Sequence, residues 1–291
     1  MNPEYIISVA SALSVFFIAS VEDIREREVS NVLWIFLGTI GFALLAAGIY
    51  DGSFGVPRPA MAVLPLPLFL FADMFVDWDA LVKGRGQILR YSLLSISAAL
   101  AVVSALPYIG SASMDILLSI PLWTGFIFLL YKLDVVKGGA DAKALVSLCI
   151  LFPLYPSTLI GRGSQFLTAL TFPPFLSVLM MGAVFSLAVP VALFFSNASR
   201  GRVRMPHMVI GRMKPVDAVD TGKEWLMEFA GPAGEPSRVK RLGSMDDEAE
   251  LQKIREIGWK TVWVSPKIPF IIPLTAGLLF VLVLGNPILL L

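Results

Sequence analysis

Cysteine and histidine are almost missing from this 291-residue chain, which carries one of each, Cys149 and His207. A single thiol inside an apolar run can build neither a disulfide framework nor a Cys-x-x-Cys zinc site. The lone imidazole falls in a polar segment, so a His-based metal centre or a Ser/His triad has no material among the apolar runs. Charge is scarce as well, at 15% of residues, where soluble domains carry about 25%. The balance of +1 gives no reason to expect nucleic acid as a partner. The opening Met1–Tyr5 lacks the basic region and small-residue cleavage site of a secretory signal, so the first apolar run is expected to be retained. Carboxylates, lysines and hydroxyls remain as the available chemistry, with no call on a metal or an organic cofactor.

What the chain has instead is hydrophobicity: 56% of residues are apolar and mean hydropathy is +0.77. A membrane span needs about 20 mostly apolar residues. Runs near that length are Tyr5–Val21, Val32–Ile49, Pro59–Val76, Ile88–Ile109, Met114–Tyr131, Ala142–Ile160, Phe172–Phe195 and Ile268–Leu289. The fold class read from this pattern is an all-α polytopic membrane protein of about eight transmembrane helices, with a small α+β cytoplasmic insert. The third run is broken by Pro59, Pro65 and Pro67 and contains Asp73. Basic residues in short loops set orientation. Arg25, Arg27, Lys83, Arg85, Arg90, Lys132, Lys137 and Lys143 fall on one side if the runs alternate, against Arg58 and Arg162 on the other. That puts the loops around Asp23 and Asp141 in the cytoplasm, in a plasma-membrane protein with the lipid bilayer as its surroundings.

The expected organisation is a membrane core over residues 1–195, a cytoplasmic insert over 196–267, and a last transmembrane helix over 268–291. Within the insert, Val209-Ile210 and Thr261-Val262-Trp263-Val264 read as short strands. Asp247–Ile257 reads as a helix with Ala249, Leu251, Ile254 and Ile257 available to face a core. Ser244 with Asp247 resembles a capping box, Gly258 is a stop signal, and Gly231–Pro236 is a turn. The basic run Arg200–Arg204 reads as an anchor against anionic lipid, and His207 as an ordinary surface or loop residue.

Two carboxylates stand at the mouths of apolar runs, where an ionisable group is costly to keep and a function is the first hypothesis. Asp23 closes the first run. Taken alone it reads as an interfacial acid pairing with Arg27 at a helix end. Asp141 lies in Lys137-Gly138-Gly139-Ala140-Asp141-Ala142-Lys143, and alone it reads as a helix N-cap. The small residues Gly138, Gly139 and Ala140 ahead of it permit a close backbone approach that capping does not require. The pair says more than either member. Aspartyl proteolysis needs two carboxylates close enough to share a proton, one activating water while the other donates to the scissile carbonyl. Asp77, Asp79 and Asp134 read as solvated loop acids. Asp73 could pair with a loop lysine or help line a groove for substrate. Lys143 reads as a snorkelling lysine or a charge beside Asp141, and Trp78 and Trp123 as interfacial or packing residues.

Asp23 with Val29-Ser30-Asn31 resembles the first motif of type IV prepilin peptidases, and particularly of archaeal preflagellin peptidases, in which an aspartate ends one helix and an aliphatic-Pro-Asn sequence opens the next. Gly138-Gly139-Ala140-Asp141-Ala142-Lys143 resembles their second motif, Gly-x-Gly-Asp-x-Lys. Ala140 stands where that pattern has its second glycine, and Ser30 where it has proline. The resemblance implies Asp23 and Asp141 as catalytic residues, with Asn31, Gly138, Gly139, Ala140 and Lys143 in support. It implies prepilin-like or preflagellin precursors as substrates, cut after a short basic leader at the cytoplasmic boundary. The cysteine cluster of bacterial members is absent, so their methyltransferase activity has no support here. Two other readings stay open: a presenilin-like intramembrane protease, and a non-protease transporter or assembly subunit.

Overall fold

Without water to satisfy backbone groups, an apolar run in lipid must close its own hydrogen bonds, and the helix does so within one segment. The computed structural model describes residues 3–133, 136, 138–155, 171–232, 234–239, 242–243 and 246–290. Asp134, Lys137, Arg162, Ser244 and the end of the sixth apolar run lie outside these. Two compact units result, one of Met1–Ala183 with Phe270–Leu291 and the other of Val184–Pro269.

The first unit contains α1 (Pro3–Arg25), α2 (Asn31–Asp51), a 3₁₀ turn (Arg58–Val63), α3 (Pro65–Ala72), α4 (Trp78–Leu81), α5 (Gly86–Ala105), α6 (Ala112–Lys132) and α7 (Gly139–Leu151). After these come α8 (Pro174–Ser186), which runs past the unit's boundary, and, beyond the second unit, α12 (Ile271–Leu284). Among the described residues five helical segments are long and apolar enough to cross a membrane: Pro3–Arg25, Asn31–Asp51, Gly86–Tyr108, Ala112–Lys132 and Pro174–Ser199. The third and eighth runs give the shorter apolar helices Arg58–Ala72 and Ile271–Leu284, and the described helix of the sixth is the 13-residue α7. The described residues thus give five long spans, and eight crossings are not shown. In the third run the prolines divide the helix into a 3₁₀ turn and α3.

Packing inside this unit explains how the two motifs meet. The helix α2 lies along α7, and α1 packs on both α2 and α12. A Cβ on Gly41 of α2 would press on Ile150 and on the backbone of Leu151 at 3.0–3.2 Å, so the glycine sets how closely α7 approaches. Trp34 is fully buried and meets Phe16 of α1 edge-on at 5.5 Å between centroids. Ser20 and Thr275 share a hydrogen bond of 2.8 Å between α1 and α12, one turn from Asp23.

The second unit holds α9 (Ala188–Ser199), α10 (His207–Ile210), β1 (Arg212–Pro215), β2 (Glu224–Leu226), β3 (Glu228–Ala230), β4 (Pro236–Arg238), α11 (Asp247–Ile257) and β5 (Thr261–Pro266). Its antiparallel sheet has the order β1-β5-β2, with Arg212 opposite Val264 and Leu226 also opposite Val264. The strands β3 and β4 pair antiparallel, and beyond the pairing Gly231 N–H donates to the Glu235 carbonyl. Side chains alternate along a strand. Val262 and Val264 join the cluster with Leu251 and Ile254, while Trp263 joins Met208 and Met227.

The helix expected at Asp247–Ile257 forms with those bounds and stops at Gly258. Its buried face is Asp247, Glu250, Leu251 and Ile254, whereas Ala249 and Ile257 are exposed. The two acids are drawn inward because strand amides need acceptors: Leu226 N–H donates to Asp247 and Ala230 N–H to Glu250. Its N-cap is Asp246, whose side chain accepts from Glu248 and Ala249 N–H. Val209-Ile210, read as a strand, belongs to α10. Asn197 Nδ2 donates to the Met208 and Gly211 carbonyls there, and a tertiary clamp of this kind overrides the β-branched preference. His207 is not a surface residue: it is 2% exposed and meets Trp263 edge-on. Arg202 and Arg204 are engaged by the Met213 carbonyl and Glu228, so they are not simply free for lipid.

Candidate active site

Asp23 sits in the last turn of α1 and is 9% exposed. It accepts a hydrogen bond of 3.2 Å from the Ile271 N–H at the first turn of α12. That amide is available because the first N–H groups of a helix have no partner within it. The expected Asp23–Arg27 pair on one helix does not form. The helix α1 stops at Arg25, and Arg27 turns out of it with φ 60°.

Asp141 lies in the first turn of α7, and the N-cap is Gly138. The carboxylate folds back over Gly138 so closely that a Cβ there would collide with it. Here the glycine acts by leaving room for the acid. Ala140 is part of the helix with no positive φ, so alanine costs that turn nothing. A Cβ on Gly139 would meet the Tyr131 side chain only at ordinary contact distance. The Asp23 charge acts on the Asp141 carboxylate, which has no hydrogen-bond partner among the described residues.

The remaining motif residues meet beside them. Lys143 Nζ donates to Asn31 Oδ1 at 2.7 Å, joining the first motif to the second across 112 positions of sequence. The same ammonium stands 4.9 Å from the centroid of the Phe75 ring. Lys143 is thus held between α2 and the end of α3. Ser30 caps α2 by accepting from Val32 N–H, and its own N–H donates to Glu22 at 2.8 Å. A proline at that position would have no such donor.

Asp73 belongs to another construction. It is 7% exposed, Arg90 of α5 donates to both of its oxygens at 2.7 Å, and Trp78 Nε1 adds a bond of 2.6 Å. The partner is an arginine rather than a loop lysine, and the carboxylate has little capacity left for a basic leader. Asp77 caps α4, and Asp79 accepts from Gln87. The residue that sequence reading passed over is Arg27, considered there only as a partner for Asp23. Its position four residues after Asp23 was the available signal.

Comparison with known proteins adds evidence from outside the site. The family model described as Archaeal Peptidase A24 C-terminus Type II matches residues 206–286. The chain is similar to the preflagellin peptidase of Methanocaldococcus jannaschii, with 28% identity over 194 residues, covering 62% of this chain and 78% of the relative. It is similar to that of Methanococcus voltae, 23% identical with 97% of each chain covered, and to that of Methanococcus maripaludis, 25% identical with 98% and 96% covered.

Proposed function

We propose, from the premise that these relatives support a place in the archaeal preflagellin peptidase family, that the chain is a membrane aspartyl endopeptidase acting through Asp23 and Asp141. Its substrates are preflagellin or prepilin-like precursors, cut after a short basic leader at the cytoplasmic boundary. In this reading the five long helices and the shorter apolar segments of runs three, six and eight make up eight crossings. The basic loops then place both aspartates on the inner side. The observation that carries the reading is the joining of the two motifs by the Lys143–Asn31 hydrogen bond across 112 positions, with the Asp23 charge close enough to act on Asp141.

The chemistry follows from two acids that share one proton. The ionised carboxylate takes a proton from water as the water oxygen bonds to the scissile carbonyl carbon. The protonated carboxyl gives its proton to the carbonyl oxygen, leaving a tetrahedral diol. On collapse one hydroxyl returns its proton to the second carboxylate, the C–N bond breaks, and the first carboxyl protonates the departing amine. Each residue ends as it began. A coupled pair titrates as a unit, so the two roles belong to the pair.

The test is cleavage of a precursor with a basic leader by full-length protein in membranes. Asp23→Asn and Asp141→Asn should each abolish the cut and leave insertion intact. Wild-type cleavage by either variant would remove the reading, and mapping the cut bond to the middle of the apolar helix would favour the presenilin-like alternative.

A further inference from the structure

Arg27 carries two costs that no partner among the described residues offsets. Its backbone lies at φ 60°, and it is the one non-glycine residue with positive φ among those described. Glycine adopts that region freely and is the usual residue just past a helix end, so the turn by itself does not call for arginine. Nε and Nη1 of its guanidinium are shielded from solvent and have no hydrogen-bond partner among the described residues. Buried donors without acceptors are unfavourable, and charged ones more so. A strained backbone and unpaired donors at one residue are the pattern of a site awaiting a ligand.

The place of this residue narrows what the ligand is. Arg27 follows Asp23 by four positions and its charge acts on that carboxylate. The two do not close into a salt bridge, although Arg90–Asp73 in the same unit does. An acceptor brought in next to Asp23 would satisfy the free donors. The basic side chains of a leader cannot serve, since they offer no acceptor and are repelled by the guanidinium. The backbone carbonyl oxygens of an extended peptide can, and the one beside Asp23 during attack is the scissile carbonyl.

We propose that Arg27 is a further catalytic residue, donating to the scissile carbonyl oxygen of the precursor and stabilising the negative charge that grows there as water adds to the carbon. This rests on the aspartyl reading above. The proton balance is unchanged: Arg27 donates hydrogen bonds and transfers no proton, while Asp23 and Asp141 move the protons. Preorganised donors aimed at developing charge act mainly on the transition state, so the effect belongs to kcat more than to KM.

The experiment uses the full chain in lipid with a precursor peptide made of a basic leader and an apolar helix. Arg27→Gly removes the donors and also relieves the backbone, so it should melt no lower than wild type. Its kcat should fall about 10²–10³-fold, with a smaller change in KM. Should Arg27→Gly fold poorly, Arg27→Lys decides: it keeps the charge without the guanidinium's donors and should lose about tenfold or more of kcat. Wild-type kcat in a folded Arg27 variant, with Asp23→Asn inactive in the same assay, overturns the role of Arg27 and leaves the aspartates standing. Wild-type cleavage by Asp23→Asn overturns the underlying reading and this inference with it.

Discussion

Asp73 and Asp141 are both carboxylates set among apolar helices, and the structure treats them in opposite ways. Asp73 is closed off by Arg90 and Trp78 with three hydrogen bonds. The second unit handles its buried acids similarly: Glu224 is gripped by Arg212 and Lys214, and Glu228 by Arg204 and the Trp263 N–H. Among the described residues Asp141 has no hydrogen-bond partner and feels the charge of Asp23, which has one, the Ile271 N–H. A buried acid with a full set of partners organises structure. A pair left short of partners, at the junction of two motifs, is available for chemistry.

That contrast can be broken at either end. The largest effect on stability is expected from Asp73→Ala. It strands the Arg90 guanidinium and should cost about 3 kcal/mol, the low end for a broken buried pair because Arg90 keeps some solvent. A thermal melt in detergent measures it, and an unchanged melt would make Asp73 dispensable. At the other end, Gly138→Ala should leave the melting temperature nearly unchanged and lower kcat about 10²-fold, since the new methyl displaces the Asp141 carboxylate by roughly an ångström. Ala140→Gly, in the same turn, should leave kcat near wild type. Equal losses in both variants would show that the turn, rather than the room over Gly138, is what matters.

The paired acids of the second unit sharpen the comparison through pH. Burial works against charge on Glu224, but hydrogen bonds from Lys214 and Arg212 outweigh it and hold the carboxyl below its ordinary range. Its contribution is therefore full above the unfolded value of about 4.3 and lost as pH falls through the depressed folded one. Burial, then repulsion from Arg204 and Arg238, holds His207 below its ordinary value against the pull of Glu228. The unfolded chain takes up that proton first, so stability is full above about pH 6.5 and declines below it. Denaturation of the full chain followed at Trp263, which His207 meets edge-on at 5.6 Å, should show the decline set in as pH falls below about 6.5. His207→Phe should flatten it. The smallest effect belongs to Ser30→Pro, which removes the Glu22 bond and the cap of α2. It should cost about 1 kcal/mol at most, because φ −58° already suits proline. A larger loss would give the Glu22–Ser30 bond a bigger part in holding the first motif than its exposure suggests.

Much of this was legible in the chain. The apolar runs announced the long helices, Gly258 announced the end of α11, and the alternation of Thr261–Val264 announced β5. The errors have a common cause. His207 and Asp73 were judged by their own polarity, yet each is buried against a partner from elsewhere in the chain, Trp263 for one and Arg90 for the other. Ala249 and Ile257 were assigned to the core by apolarity, while the face that packs is fixed by Leu251 and Ile254.

The sequence by itself determined the membrane class, the placing of two acids at helix ends, and the small residues ahead of Asp141, because hydropathy and backbone freedom are local properties. Only the tertiary structure decided which carboxylates are satisfied and which are left open. Pairing depends on groups brought together from far along the chain, as when the Ile271 amide reaches Asp23 across 248 positions, and such a meeting is set by how helices pack.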